Sequence, residues 1–112
     1  MKHFFTLLLL VASLGAFGQT SNLIVFNNSG QQFFVILNGI KQNSLPKTNV
    51  KIEGLAPASY KVKIIFADGK TGDIDRSVFL ESAMEYSAQI VLKKGKKGKL
   101  RLFDMVALNT SP

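Results

Sequence analysis

Between Val50 and Phe66 apolar and polar positions alternate with a period of two. Val50 and Ile52 share one face against Lys51 and Glu53. Tyr60, Val62, Ile64 and Phe66 then share a face, with Lys61 and Lys63 opposed to them. That period belongs to a strand with one buried and one wet side. Gly54, Pro57 and Ala58 punctuate the stretch between the two runs. The pattern predicts two strands joined by a Gly/Pro turn, a hairpin at the centre of the domain.

The rest of the chain repeats this alternation in short runs. Leu23 to Phe26 reads as a strand, followed by the turn formers Asn27-Asn28-Ser29-Gly30. Gln32 to Leu37 is almost continuously apolar, which predicts an inner strand covered on both faces. Asn38-Gly39 is a strong hairpin signal, because both residues tolerate positive φ. Ile40 to Asn43 is the expected return strand. Ser44 to Asn49 breaks the pattern, and Pro46 cannot donate to a ladder, so this stretch reads as a crossing or an edge. Asp68 to Asp73 is a polar, Gly-punctuated hairpin loop. Ile74, Val78 and Leu80 alternate with Asp75, Ser77 and Phe79. Arg76 falls on the apolar phase, which predicts a place near a sheet edge or the end of a barrel. Glu81 to Met84 is a short connection. Tyr86, Ala88, Ile90 and Leu92 share a face within Glu85–Leu92. Lys93 to Lys99 is a basic, Gly-rich loop, Leu100 to Leu108 a closing strand, and Asn109 to Pro112 a tail. No run has helical periodicity. Short strands with a turn signal roughly every eight to twelve residues predict an all-β fold, a small antiparallel β-sandwich of about seven strands.

The first residues stand apart from this pattern. Met1-Lys2-His3 is a short positive start, Phe4 to Leu14 an apolar run, and Ala16-Phe17-Gly18 places small residues at the −3 and −1 positions. This is the layout of a helical secretory signal peptide, residues 1–18, cleaved before Gln19. The apolar run is shorter than the ~20 residues a spanning helix needs. With no cysteine after it, lipid anchoring is excluded as well. Residues 19–112 are the expected mature chain, one domain exported to the periplasm, the cell surface or the medium.

Composition narrows the chemistry. The only histidine, His3, lies in the leader, and there is no cysteine at all. The mature chain therefore lacks Ser-His and Cys-His nucleophile pairs and the common zinc ligands. It also cannot use the disulfides on which many small exported domains rely. Its stability must come from apolar strands, with Phe26, Phe33, Phe34, Phe66, Phe79 and Phe103 available to the core. Two carboxylates suffice for glycoside hydrolysis, so an acid pair remains the one enzymatic alternative. The acids are Glu53, Asp68, Asp73, Asp75, Glu81, Glu85 and Asp104, mostly in turns or on wet faces. Asp68, Asp73 and Asp75 miss the spacing of an EF-hand loop and read as hairpin-turn residues, so no metal or cofactor is expected. Tyr60 and Tyr86 read as amphipathic residues at the core edge.

The charge is local. The formal net charge is +7, and loss of Lys2 with the leader leaves +6. Lys93, Lys94, Lys96, Lys97 and Lys99 account for five of these, which leaves +1 for the remainder. This loop is the candidate for binding lipopolysaccharide phosphates or acidic glycans. No aromatic residue is interleaved to stack on bases, and the leader argues against nucleic acid as a partner. The plain alternative is a solvated loop whose lysines discourage edge-to-edge aggregation.

The run LIVFNNSGQQFFVILNGIKQN, followed by PKTNVKIEGLAPASYKVKIIFAD, resembles the N-terminal β-domain of exported Bacteroidetes proteins that carry a helical C-terminal domain of unknown function. The similarity spans about Leu23 to Arg101. The looser pattern G-L-x-P-x-x-Y-K-V is similar to PEGA and carboxypeptidase-regulatory-like sandwich modules. The resemblance implies a non-catalytic accessory domain acting in binding, adhesion or envelope scaffolding, with an envelope protein or glycan as partner. It implies no catalytic residues. No helical domain of that kind lies between Arg101 and Pro112, so nothing residing in such a domain transfers.

Overall fold

The computed structural model describes residues 19–108, so the expected leader lies outside the described residues. Eight strands form two four-stranded sheets, one at each of the runs read from the alternation: β1 (Ser21–Phe26), β2 (Phe33–Leu37), β3 (Ile40–Lys41), β4 (Asn49–Leu55), β5 (Ala58–Phe66), β6 (Ile74–Leu80), β7 (Met84–Val91) and β8 (Lys99–Ala107). One sheet has the order β4-β1-β7-β8, the other β3-β2-β5-β6. Every pairing is antiparallel except β1 with β7. The described residues are all-β, and the pairing is antiparallel in the main.

The core is the sum of the inward faces. Leu23 and Val25 of β1, Phe33, Val35 and Leu37 of β2, Val62, Ile64 and Phe66 of β5, and Tyr86, Ala88 and Ile90 of β7 are all buried. Burial of each large side chain stabilises the fold by about 1.5–3 kcal/mol. Tyr86 turns its hydroxyl to the rim, where it accepts the Glu81 N–H at 2.9 Å.

The Val50–Phe66 stretch forms its two strands but not a hairpin. β4 pairs with β1, whereas β5 lies between β2 and β6 in the other sheet. The Gly54–Pro57 segment is an arch from sheet to sheet, with Gly54 at φ 71°. Val50 and Ile52 therefore join the core from the sheet opposite Val62 and Ile64 instead of lying beside them. Alternation reports which side of a strand is buried and is blind to which strand it pairs with. The Tyr60 hydroxyl donates to Ala56 O at 2.6 Å and ties the arch to the start of β5. This is the tyrosine-corner arrangement that sandwiches use where the chain changes sheets.

Other expectations meet the same two-layer logic. Asn38 and Gly39 take φ of 49° and 82° and join β2 to β3. β2 is not covered on both faces: Phe34 and Ile36 point outward and are half-buried. With no third layer, Lys41 covers the Phe34 ring, its ammonium 4.0 Å from the centroid. Of the six phenylalanines offered to the core, only Phe33 and Phe66 are buried, while Phe79 and Phe103 are exposed. β8 has only Leu100 buried. A bulge opposite Ser87 and Ala88 inserts Phe103, which packs edge-on against Phe26 on the outer face with ring centres 5.8 Å apart.

Candidate functional site

Three loops meet at one end of the sandwich. The β7–β8 loop carries Lys93, Lys94, Lys96 and Lys97 and leads into Lys99 at the start of β8, and all five are exposed. The loop turns at Gly95, with φ 75°, where Lys96 N–H donates to Lys93 O at 3.1 Å. Gly98 lets it settle on the sandwich. A Cβ at Gly98 would stand 2.8 Å from Leu92 Cδ2 and 2.9 Å from Ile74 Cδ1. Those apolar contacts leave the ammonium groups on the solvent side.

The β5–β6 loop forms the opposite wall. Asp68 organises it by accepting the Lys70 and Thr71 N–H groups, each at 2.9 Å, and the Thr71 hydroxyl at 2.6 Å. The Thr71 hydroxyl, helped by the two backbone N–H groups, pulls the Asp68 carboxyl down from 3.8 to about 2. Thr71 thereby faces Gln31 from the β1–β2 crossing, whose Nε2 lies 3.5 Å from Thr71 Oγ1. The Gln31 Oε1 is buried without a protein partner. Between these walls is a hollow of about 330 Å³, lined by Gln31, Thr71, Asp73 and the lysines at 93, 94, 96 and 97.

The cationic rim continues round the β6/β8 edge. Arg76 donates from Nη1 to Leu100 O at 2.5 Å and bridges the two sheets there. Its off-phase position in the sequence is thus an edge position, as expected. Lys97, Lys99 and Arg76 border a second hollow of about 300 Å³, and Lys93, Lys99, Arg76 and Arg101 border a third of about 340 Å³. Seven cationic side chains therefore surround connected depressions, against the two carboxylates Asp73 and Asp75. Asp73 is paired with Lys63 at 3.8 Å. The five lysines expected as a site do lie together. Arg76, Gln31 and Thr71 join them through tertiary structure alone, and of these only Arg76 carried a signal, its break in the alternation; Arg101 follows Lys99 by two residues on β8.

The acids do not assemble. Glu53 lies on β4, Asp75 on β6, Glu85 on β7 and Asp104 on β8, with Asp68, Asp73 and Glu81 in connections. Glu85 is occupied by Asn22, whose Nδ2 donates to it at 3.2 Å, and by Lys51 at 3.3 Å, and the two together hold its carboxyl below the ordinary value. Both resolved carboxyl shifts are downward, away from the raised value of a general acid. Among the described residues no group of three His, Cys, Asp or Glu could hold a metal ion, and no helix is long and apolar enough to cross a membrane.

Comparison of the chain with models of known families, with curated proteins and with solved structures finds no match.

Proposed function

We propose that the chain is an exported, non-enzymatic β-sandwich module that binds polyanions of the envelope, phosphate-bearing lipopolysaccharide or acidic glycans, at its basic end. The observation that carries this reading is the convergence of Arg76, Lys93, Lys94, Lys96, Lys97, Lys99 and Arg101 around connected hollows. Exposed ammonium groups are worth little singly, but a field of one sign over a concave surface concentrates counter-ions and steers a polyanion to it. The lysines recognise charge without fixing geometry, which suits a polyanion of variable shape. The spread of the acids over four strands and three connections, with both resolved carboxyl shifts downward, favours this reading over a carboxylate-based glycan hydrolase. The leader and the resemblance to exported accessory domains support an extracytoplasmic setting.

Retention on heparin and lipopolysaccharide resins at low salt tests the proposal. Changing Lys93, Lys94, Lys96, Lys97 and Lys99 to Gln should abolish retention. A second variant with Lys41, Lys47, Lys51, Lys61 and Lys63 changed to Gln loses the same formal charge elsewhere and should stay bound. Equal retention of the two variants would show net charge at work and end the case for a site.

A further inference from the structure

β8 is the least buried of the long strands, and most of its residues are apolar. Phe103, Met105 and Val106 are 64%, 54% and 51% exposed, and Leu102 and Leu108 are exposed as well. β8 is also an edge: β7 lies on one side, and among the described residues no strand lies on the other. Edge strands of single sandwiches are ordinarily short, or carry charges that repel a second edge. β8 runs for nine residues and pairs with β7 over its whole length. Its two central charges, Arg101 and Asp104, have opposite signs.

We infer that β8 is an interface for a second copy of this chain, the two β8 strands pairing antiparallel across a twofold axis into one eight-stranded sheet. The spacing of faces along the strand carries the inference. Leu100, Leu102, Met105 and Ala107 lie opposite Ile90, Ala88, Tyr86 and Met84, so they share the inward face. Arg101, Asp104 and Val106 lie opposite Gln89, Ser87 and Glu85 on the outward face, and Phe103 joins them against Phe26. Without the bulge at Phe103 the strand would simply alternate. With it, one antiparallel register matches every face. Leu102 stands opposite Met105 of the other copy, Arg101 opposite its Val106, and Phe103 opposite its Asp104. A slip of one residue either way sets inward side chains against outward ones.

Charge agrees with this register. Arg101 of each copy reaches diagonally to Asp104 of the other, a separation that long side chains span across paired strands. The two Asp104 carboxylates flank the axis, and each is neutralised by an Arg101. Asp104 is already set on the outward face, with its Oδ1 accepting the Met105 N–H at 2.8 Å. Inward, the Leu102 and Met105 side chains of both copies form one apolar cluster where sheet β3-β2-β5-β6 does not reach. Leu100, whose carbonyl is taken by Arg76, falls at the end of the pairing and is not needed for it. Edge pairing satisfies the open backbone groups of both strands and covers the exposed apolar side chains in one step.

Sedimentation velocity of the purified full chain, over a concentration series into the high micromolar range, tests the inference. The wild type should show a monomer–dimer equilibrium. Asp104→Arg should weaken it by at least about tenfold, because four like charges then meet at the axis. Arg101→Asp should do the same, and the double variant Arg101→Asp/Asp104→Arg should restore association. Both sites are exposed, so circular dichroism should show an unchanged fold for all three variants. A wild type that remains monomeric throughout overturns the inference, whether β8 is then bare or covered by a different protein. So does association that Asp104→Arg leaves intact, or that the charge swap does not restore.

Discussion

The Asn43 side chain acts on Val35 as a neighbouring strand would, its Oδ1 accepting the Val35 N–H at 2.9 Å. Its Nδ2 donates to Phe33 O at 3.0 Å and to Leu45 O at 2.8 Å. β3 is only two residues long, so it cannot pair with the first half of β2. Asn43 fills that gap, and the Lys47 backbone takes over at Phe33, donating at 3.1 Å and accepting at 2.9 Å. Asn43→Ala would leave the Val35 N–H buried without a partner, at about 1–3 kcal/mol, while the Phe33 carbonyl would keep the Lys47 N–H and lose the second of its two donors. We expect a loss of about 1–3 kcal/mol in urea unfolding with an unchanged m-value. Asn43→Asp should be worse, since it keeps the acceptor but sets a carboxylate against two carbonyls. An Asn43→Ala protein as stable as the wild type would mean that water replaces the amide without cost.

That residue also marks where the sequence stops being informative. The inward faces of β5 and β7 were legible, because Tyr60–Phe66 and Tyr86–Leu92 alternate cleanly and one side of each is buried. The turn at Asn38-Gly39 was legible because positive φ leaves a mark on residue choice. The partner of each strand was not: the same alternation serves a hairpin or an arch, so β4 and β5 read as neighbours. Asn43 gave no sign of its role, since it read as the last residue of the return strand, which in fact ends at Lys41. Phe79 and Phe103 read as core because hydrophobicity says nothing about a bulge or a missing third layer. The lysine loop was plain from composition. Its extension to Gln31 and Thr71 depends on three loops meeting, and to Arg76 on β6 lying against β8, which no local pattern encodes.

Acid should act on the β5–β6 loop through Asp68. Its folded value is about 2 against an ordinary 3.8, so the charged form is the one the fold favours. The stabilisation it provides is complete above 3.8 and is lost as pH falls through about 2. Asp68→Asn removes the charge but keeps an acceptor for the Lys70 and Thr71 N–H groups. At neutral pH the variant should unfold at lower urea than the wild type. The difference should shrink below pH 4 and close near pH 2. A gap of constant size across that range would mean that hydrogen bonding alone, without the charge, holds the loop.

Gly98 is small for a steric reason, because Leu92 and Ile74 occupy the space a Cβ would need. Gly98→Ala should destabilise the fold by about 1–3 kcal/mol, the usual cost of overpacking. It should also lift the lysine loop from its seat and weaken retention on heparin. Gly72, on the opposite wall of the hollow, has open space around the equivalent position and an ordinary φ. Gly72→Ala should leave the melting temperature and retention unchanged. Equal effects of the two substitutions would mean that backbone freedom, and not the Leu92–Ile74 contact, is what Gly98 provides.

The strictest test of the fold falls on β5. Val62 and Ile64 sit at the middle of the strand, are buried, and pair on one side with Leu37 and Val35 and on the other with Arg76 and Ile74. Arg76 stands directly opposite Val62 on the same face, whereas both partners of Ile64, Val35 and Ile74, are apolar and buried. An aspartate at 64 must bury an unpaired charge or take up a proton to avoid it, at a cost of several kcal/mol. Total stability for a domain of this size is about 5–15 kcal/mol, so Ile64→Asp should abolish the cooperative thermal transition, and Val62→Asp, with the Arg76 guanidinium beside it, should lower its midpoint by less. Lys61→Asp and Lys63→Asp, on the outward face of the same strand, should fold and melt cooperatively. If the inward pair also melts cooperatively near the wild-type temperature, the face of β5 has been assigned the wrong way round, and with it the register of the whole β3-β2-β5-β6 sheet.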